Sequence, residues 1–575
     1  MKASLSSISG LKAGSPWVIL TLCVLNLLAM HYYILGTCTV EGEYNFTTTV
    51  DNAVGVVADV VLLFLVFYYG SWKRLRAALS ATFAVTWLWS FSNVMYSRFF
   101  HHYLSLSAVG QGGTLLDWQM LRCVIDGFSP FDIFFLAILL AFTVLIRKAR
   151  PTGNIATQLA IVLIIAVCVD LASYGIYCSL APERRYVSFF LQRIENRQFS
   201  TQLHLSDPNN TAFRRGTLRT LLYEFALNSQ GAIELTEEQR GLIAAETEAA
   251  KSDIAKTTGS LTGKNVIFII VESYMSFTSD MSVGGREVTP CLNSLKRDTA
   301  TYFNAQMREN VTVGESSDGQ FVYMTGILPL RSVITVSKAR HVTLPGLPKA
   351  LGMNARMVIP TTASMWNQDE MCTQYGFDAL YTSSDYPGQH SAYLTDEQVF
   401  KLAMDADRAS QQPFLSVVLT MSMHQPYTEQ RDTSFIISDP TITNDLACYL
   451  NACHYTDRQI GMYIEHLKRT GLYDNSIIVI AADHPVHNTD LGGADKHIPL
   501  YIVNPAELPD VMWQGECNQL DVYTTLLDIM GCDADWVGLG RSLASPTYNN
   551  DIRTQSWDVS EWIIMGDYFS SLQPQ

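Results

Sequence analysis

Five apolar stretches near the start of this chain constrain its fold more than any other feature. They span residues 16–36, 52–70, 75–95, 128–146 and 157–178. Each is long enough, or nearly so, to cross the hydrocarbon core of a bilayer, which is about 30 Å thick. The first is not typical of a cleavable signal peptide, because further apolar stretches follow it in place of a small-residue cleavage site and a soluble chain. The sequence therefore predicts an N-terminal α-helical transmembrane bundle of about five spans.

Basic residues occupy alternate connections between these stretches, and they set the predicted orientation. The basic connections contain Lys2, Lys12, Lys73, Arg74, Arg76, Arg147, Lys148 and Arg150. The other two loops hold only Arg98 and Arg122. Because short loops rich in lysine and arginine remain in the cytoplasm, everything after Cys178 is expected on the outer side of a multi-pass cell-membrane protein.

The net charge and the cysteine spacing argue against two kinds of binding site. The formal net charge of −15 argues against a nucleic-acid-binding surface, since attraction to phosphates needs a basic face. The 11 cysteines show no CxxC spacing typical of a zinc site. Their disulfide pairing and the oligomeric state stay open at this point.

The second half of the sequence has a different pattern of apolar residues. Short apolar runs alternate there with helical patterns, at residues 265–271, 355–359, 414–419, 476–482 and 500–503. This alternation predicts an α/β domain with a central, mostly parallel sheet covered by helices. We therefore divide the chain into a transmembrane domain at 1–178, a helical connector at 179–263 and an extracytoplasmic catalytic domain at 264–575.

Polar residues of a kind that could bind a metal follow three of these apolar runs. Glu272 follows the first, His424 the third, and Asp483 and His484 the fourth. Open α/β sheets bind ligands beyond the carboxyl ends of their strands. Each residue alone is explained about equally well by a helix cap or a satisfied histidine. A metal site explains them better as a group, because a buried carboxylate is costly unless it is paired or bound to a metal.

The residue types indicate which chemistry such a site would support. Glu272, Asp483 and His484 offer carboxylate oxygens and an imidazole nitrogen, which suit zinc or manganese better than calcium. Ser316 lies in the Gly-containing segment 314–321. A serine bound to a divalent cation loses its proton more easily and becomes a nucleophile. The alternative, that Ser316 caps a helix, is compatible with this role, since anions also bind at helix N-termini.

A set of short motifs gives the outer domain a family resemblance. The motifs lie at residues 265–273, 287–293, 314–321, 366–367, 423–427, 455–461, 482–484, 497–500, 521–527 and 538–543. With these motifs the domain resembles the lipoteichoic acid synthase and phosphoglycerol transferase branch of the alkaline-phosphatase/sulfatase superfamily. The resemblance covers most of the chain, including the predicted five-span anchor.

The resemblance implies a reaction and a set of site residues. It implies one divalent ion, Mn²⁺ or Zn²⁺, held by Glu272, Ser316, Asp483 and His484. Ser316 would be the nucleophile that takes a phosphoglycerol-type head group from a membrane phospholipid donor and passes it to a hydroxyl on an envelope glycan or lipid. The residues expected on the substrate side are Trp366, Gln368, His424 and His497.

Departures from the family pattern keep other functions open. The synthases have an arginine where this chain has Gln368, and an amide cannot form the charged fork that grips a phosphate. Their nucleophile is usually threonine rather than serine. A phosphoethanolamine transferase, a membrane phosphodiesterase and a catalytically silent scaffold remain alternatives. A sulfatase-type hydrolase is weaker, because the segment after Ser316 lacks the proline and arginine of the Cys/Ser-x-Pro-x-Arg motif.

Overall fold

The chain forms two units. The computed structural model describes residues 15–37, 46–100, 103–106, 128–150, 155, 157–165, 168, 172, 212, 216–228, 232–254, 261, 263–331, 333–388, 393–425, 427–486, 491, 493–504, 512–551 and 554–572. The first unit is Met1–Ser229 and the second is Gln230–Gln575. Their boundary falls inside the segment that we predicted as a connector.

The first unit is helical where it is described. Its longer α-helices are α1 (Pro16–Thr37), α2 (Phe46–Gly70), α3 (Leu75–Phe100), α4 (Asp132–Leu145) and α5 (Thr217–Asn228). Apolar side chains of α1, α2, α3 and α4 pack into one core. Two ion pairs tie the helices together, Arg98 with Asp132 at 2.9 Å and Arg219 with Asp59 at 2.9 Å.

Within the described part of the chain, two helices are long and apolar enough to cross a membrane, judged by length and composition alone. They are Pro16–Thr37 and Ala53–Gly70. Helix α3 is longer but carries charged and polar residues, and α4 has only 14 residues. Of the stretch 157–178, our fifth predicted span, residues 157–165, 168 and 172 are described and the others lie outside the described residues. The count of five spans therefore stays a prediction.

The second unit is a three-layer α/β structure. Its strands are β1 (Asn265–Val271), β2 (Ser282–Val283), β3 (Arg286–Glu287), β4 (Thr301–Arg308), β5 (Asn354–Val358), β6 (Ala379–Tyr381), β7 (Phe414–Leu419), β8 (Ser476–Ala482), β9 (Ile498–Val503) and β10 (Cys517–Asn518). Its α-helices are α6 (Glu237–Asp253), α7 (Pro290–Arg297), α8 (Ser316–Thr325), α9 (Val336–Ala339), α10 (Leu347–Leu351), α11 (Gln368–Tyr375), α12 (Asp396–Arg408), α13 (Asn444–Thr470), α14 (Asp521–Ile529) and α15 (Thr554–Met565).

Eight of these strands form one sheet, in the order β10-β4-β9-β8-β1-β7-β5-β6. Strands β1, β7 and β8 lie at its centre, pair in parallel, and are almost fully buried. They are the continuous apolar runs predicted from the sequence, because a strand covered by helices on both faces has no solvent side for polar residues. The prediction of a mostly parallel central sheet is confirmed.

The sheet differs from the sequence expectation in the direction of one strand and in three strands that were not predicted, β4, β6 and β10. Strand β9 runs antiparallel to both of its neighbours, β4 and β8. Strand β4 was not predicted, because it alternates between more and less buried positions and carries Asn304 and Gln306, rather than forming one apolar run. A half-buried strand of this kind gives a weaker sequence signal than a fully buried one.

The motif at residues 455–461 supports the fold rather than the predicted chemistry. Asp457 of α13 accepts hydrogen bonds from the backbone N–H groups of Cys291 (2.9 Å) and Leu292 (2.8 Å), which begin α7. Gly461, one turn later, faces the same helix, since a Cβ there would lie 3.0 Å from the sulfur of Cys291. The motif therefore fixes α7 against α13.

Candidate metal centre and active site

Three potential metal ligands meet at the carboxyl ends of the two central strands. Glu272 follows β1, and Asp483 and His484 follow β8, in a register that pairs Val271 with Ala482. One ligand atom from each residue lies within 4.8 Å of the others. Their exposed fractions are 4% for Glu272, 3% for Asp483 and 7% for His484. The sheet thus brings two carboxylates and an imidazole into one buried group.

Ser316 completes this group from a different element. It is the first residue of α8, and its Oγ lies 3.2 Å from Oε2 of Glu272 and 3.1 Å from Nε2 of His484. Nδ1 of His484 lies 2.8 Å from the carbonyl oxygen of Pro485. A carbonyl only accepts, so Nδ1 donates to Pro485, and Nε2 is the ring nitrogen that faces Ser316.

Two residues beside the ligands have backbone angles that side chains rarely adopt. Ser273 has φ +49° and Glu315 has φ +46°. Such conformations cost about 1–3 kcal/mol each and occur most often at functional sites. At Ser273 this conformation allows two hydrogen bonds. Its backbone N–H donates to Asp483 (2.8 Å) and its hydroxyl donates to Glu272 (2.6 Å). At Glu315 the turn delivers Ser316 to the strand ends.

The electrostatics of the group reflect carboxylates held close together. Burial and the neighbouring carboxylate of Glu272 raise the pKa of Asp483 to about 7. Burial also acts to raise the pKa of Glu272, but His424 and His484 bring that pKa below its usual value. The carboxylates of Asp483, Glu272 and Glu315 raise the pKa of His484 to about 10, against the effect of burial. A cation bound among these carboxylates would neutralise their excess negative charge.

The donor set fits a divalent metal. Two carboxylates and one imidazole are the mixed oxygen and nitrogen ligands that zinc and manganese accept. Without a cation, burying Glu272 and Asp483 side by side would be strongly unfavourable. The hydroxyl of Ser316 contacts two of the three residues, so it can occupy a fourth ligand position.

The turn before Ser316 is organised by a second buried carboxylate. Oδ2 of Asp318 accepts hydrogen bonds from the backbone N–H groups of Thr312 (3.1 Å) and Gly314 (2.9 Å) and from the hydroxyl of Thr312 (2.8 Å). Ser317 donates its hydroxyl to the carbonyl of Gly314 at 2.7 Å. The neighbouring serine therefore supports the turn, while Ser316 faces Glu272 and His484.

The residues expected on the substrate side lie outside the metal group. His424 follows the end of β7, is exposed, and interacts electrostatically with Glu272. Trp366 is half-buried, with φ +52°. His497 lies just before β9, where its ring contacts Asp495 (2.6 Å) and Glu516 (3.5 Å).

Gln368 is placed differently from a residue that contacts a ligand. It is 4% exposed, and its amide exchanges two hydrogen bonds, at 2.6 and 3.1 Å, with that of Gln320, one turn after Ser316 on α8. Both of its polar atoms are therefore engaged inside the domain. An arginine at this position could donate to the oxygen of Gln320 but could not accept the hydrogen bond from its nitrogen.

Sequence reasoning missed several residues that shape this site. Ser273 and Glu315 neighbour identified ligands, and their polarity was a usable signal. Thr420 had no such signal, because its contact is set by the sheet: the hydroxyl of Thr420 accepts a hydrogen bond from the backbone N–H of Glu272 at 3.0 Å.

Comparison with known proteins agrees with this geometry. Residues 264–532 match the family model for Sulfatase. The chain is 26% identical to lipoteichoic acid synthase 2 of Bacillus subtilis (strain 168), over 89% of this chain and 82% of that protein. It is 24% identical to lipoteichoic acid synthase of Staphylococcus saprophyticus, over 92% of this chain and 83% of that protein.

Two of the solved structures that align with this chain are of bacterial proteins. The lipoteichoic acid synthase LtaP from Listeria monocytogenes aligns with a TM-score of 0.46 at 19% identity, covering 58% of this chain and 98% of that one. The lipooligosaccharide phosphoethanolamine transferase A from Neisseria meningitidis aligns with a TM-score of 0.49 at 14% identity, covering 93% and 97%. Residues 264–532 thus match the Sulfatase family model, in a chain that is similar to lipoteichoic acid synthases along most of its length.

Proposed function

We propose that this chain transfers a phospholipid head group, of the phosphoglycerol type, through a covalent intermediate on Ser316. The acceptor is a hydroxyl on an envelope glycan or lipid. The observation that carries the proposal is the position of the Ser316 hydroxyl, 3.2 Å from Glu272 and 3.1 Å from His484, in a group that also contains Asp483. The names of the relatives in Bacillus and Staphylococcus support the same reaction type.

The proposed role of each residue follows from its contacts. Glu272, Asp483, His484 and Ser316 would hold one divalent ion, Mn²⁺ or Zn²⁺. Such an ion would lower the pKa of the serine hydroxyl and neutralise charge on the phosphoryl oxygens. Ser273 orients both carboxylates through its hydrogen bonds to them. The contact between Nδ1 of His484 and Pro485 keeps Nε2 available as a ligand atom.

The reaction comprises two displacements at phosphorus. In the first, Oγ of Ser316 loses its proton and bonds to phosphorus, while the bond from phosphorus to the diacylglycerol oxygen breaks. Diacylglycerol leaves as the alcohol after taking up a proton. In the second, the acceptor hydroxyl loses a proton and bonds to phosphorus, and the bond to Oγ breaks. Ser316 then recovers its proton.

The remaining assignments are part of the same proposal. Trp366, Gln368, His424 and His497 are proposed for the substrate side, with Gln368 acting behind the surface through Gln320. The lysine and arginine pattern and the two apolar helices Pro16–Thr37 and Ala53–Gly70 support an anchor in the cell membrane. The catalytic domain, proposed to begin at residue 264, would face outward, where the lipid donor is within reach.

A trapped intermediate tests this function. The full chain is purified in detergent, incubated with phosphatidylglycerol or phosphatidylethanolamine, and analysed by intact mass. We expect an adduct on the wild type whose mass identifies the head group. Ser316→Ala should carry none, because the attacking oxygen is gone. Ser316→Thr should retain much of the turnover, since the hydroxyl stays.

Ser317→Ala is the matched control. It removes a hydroxyl from the next position, which supports only the turn at Gly314. We expect this variant to keep the adduct and to lose little turnover. An adduct that persists in Ser316→Ala and disappears in Ser317→Ala would assign the nucleophile to Ser317 and refute the role given to Ser316.

A further inference from the structure

Asp396 is a buried carboxylate that belongs to neither the metal group nor the predicted substrate residues. It is the first residue of α12, and 0% of it is exposed. Its Oδ1 accepts hydrogen bonds from the backbone N–H groups of Met421 (2.8 Å) and Ser422 (2.9 Å). Its Oδ2 accepts the hydroxyl of Thr456 at 2.7 Å. Both oxygens are thus used to hold a loop and a neighbouring helix.

Capping of α12 does not explain why the carboxylate of Asp396 is buried. Thr395 and Gln398 already form a capping box there, and the side chain of Gln398 accepts the backbone N–H of Thr395 at 2.9 Å. An acidic residue in a first helical turn also does not have to be buried to favour the helix dipole. Burial of Asp396 is costly, so its hydrogen bonds to the loop are the feature that needs an explanation.

The loop that Asp396 holds leads from the sheet to His424. The loop begins at Thr420, whose backbone N–H donates to Ile270 at 3.0 Å and whose hydroxyl accepts from the N–H of Glu272 at 3.0 Å. Its turn closes where the N–H of His424 donates to the carbonyl of Met421 at 2.9 Å. One end of the turn is therefore fixed to the strand that carries a metal ligand, and Asp396 fixes its middle.

We propose that Asp396 is a positioning residue, which holds the turn Met421–His424 in place and thereby sets the position of the His424 imidazole over the metal group. The proposal rests on the proposed function, and within it assigns the residue that controls the substrate-side histidine. Nδ1 of His424 lies 2.6 Å from the carbonyl of Gln425, which leaves Nε2 as the ring nitrogen for the substrate. The substrate atoms that this nitrogen can contact depend on the position of the turn Met421–His424.

A double-mutant cycle on head-group transfer tests the proposal. The kcat/KM for the lipid donor is measured for the full-length wild type, Asp396→Ala, His424→Ala and the double variant. Because a shift of about 1 Å in a positioned group costs on the order of 10²-fold, we expect Asp396→Ala to lower kcat/KM by about 10- to 100-fold. In the His424→Ala background the same change should cost less than about twofold, since the group it positions is absent.

Asp407 supplies the matched control. It lies on the same helix with 1% exposed, and it binds Arg356 at 3.1 Å and the hydroxyl of Tyr463 rather than the loop. Asp407→Ala should lower activity, if at all, by the same factor with and without His424. Asp396→Asn covers the case in which Asp396→Ala does not fold. It keeps Oδ1 for both backbone bonds and reverses the bond to Thr456, whose hydroxyl would accept from the amide nitrogen. Because these bonds then lack the charge of the carboxylate, we expect a loss of about threefold that again disappears without His424.

Three results would overturn the proposal. They are wild-type activity in Asp396→Ala, equal losses from Asp396→Ala in the two backgrounds, and a His424→Ala variant with unchanged kcat/KM. None of them affects the proposed nucleophile, which is judged separately by the adduct on Ser316. A missing adduct on the wild type would instead refute the proposed function itself.

Discussion

The substitution Gly319→Ala probes the contact that brings the proposed nucleophile to the metal ligands. Gly319 lies on α8, three residues after Ser316. A Cβ at this position would lie 2.4 Å from the carbonyl oxygen of Asp483 and 2.9 Å from its carbonyl carbon. Both are backbone atoms at the end of β8, so no side-chain rotation can relieve the clash.

The size of the effect follows from that distance. Ordinary contact for a Cβ begins at 3.4 Å, so α8 and the end of β8 must separate by about 1 Å. Ser316 moves with its helix, and a displacement of about 1 Å from the reacting geometry costs on the order of 10²-fold in turnover. Overpacking lowers the free energy of unfolding by about 1–3 kcal/mol, which outweighs the gain of about 1 kcal/mol from alanine in a helix.

Turnover of the lipid donor and thermal unfolding measure the two effects. We expect Gly319→Ala to lose about 10²-fold in kcat and to melt at a lower temperature. Gly241→Ala is the control, because Gly241 is an exposed residue of α6 with nothing within 4 Å of an added Cβ. It should raise the free energy of unfolding by about 0.5–1 kcal/mol and leave turnover unchanged. Wild-type turnover and melting in Gly319→Ala would refute the close approach of α8 to β8.

Two further substitutions test buried polar contacts away from the ligands. Burial raises the pKa of Asp457 to about 7, whereas an aspartate in the unfolded chain has a pKa of about 3.9. Between these two values the folded protein keeps a proton that the unfolded chain has lost. The free energy of unfolding therefore falls as the pH rises from about 4 to 7. Asp457→Asn should flatten the fall in melting temperature between about pH 5 and 7, and parallel curves for variant and wild type would contradict this. Gln368→Arg should lower the free energy of unfolding, because it places a charge against the amide of Gln320. An unchanged melting temperature together with tighter donor binding would show instead that the side chain turns to the substrate.

The central strands and the grouping of Glu272, Asp483 and His484 could be predicted from the sequence for one physical reason. A strand covered by helices on both faces has to be apolar along its whole length, so β1, β7 and β8 are visible as uninterrupted runs. Parallel strands end at the same edge of a sheet, so Glu272, Asp483 and His484 were expected together once those runs were identified. The sequence alone therefore predicted the fold class and the four residues of the group, Glu272, Ser316, Asp483 and His484.

Contacts between distant segments were decided only by the tertiary structure. The direction of β9 depends on its neighbours β4 and β8, which no local pattern records. The pairing of Gln368 with Gln320 joins residues 48 positions apart, and Asp396 reaches a loop 25 positions away. Hydrogen bonds of this kind depend on which chain segments the fold places side by side, and their residue types are equally common on exposed surfaces. Local sequence determined what each strand and turn could be, and packing of the sheet decided which polar groups meet at the site.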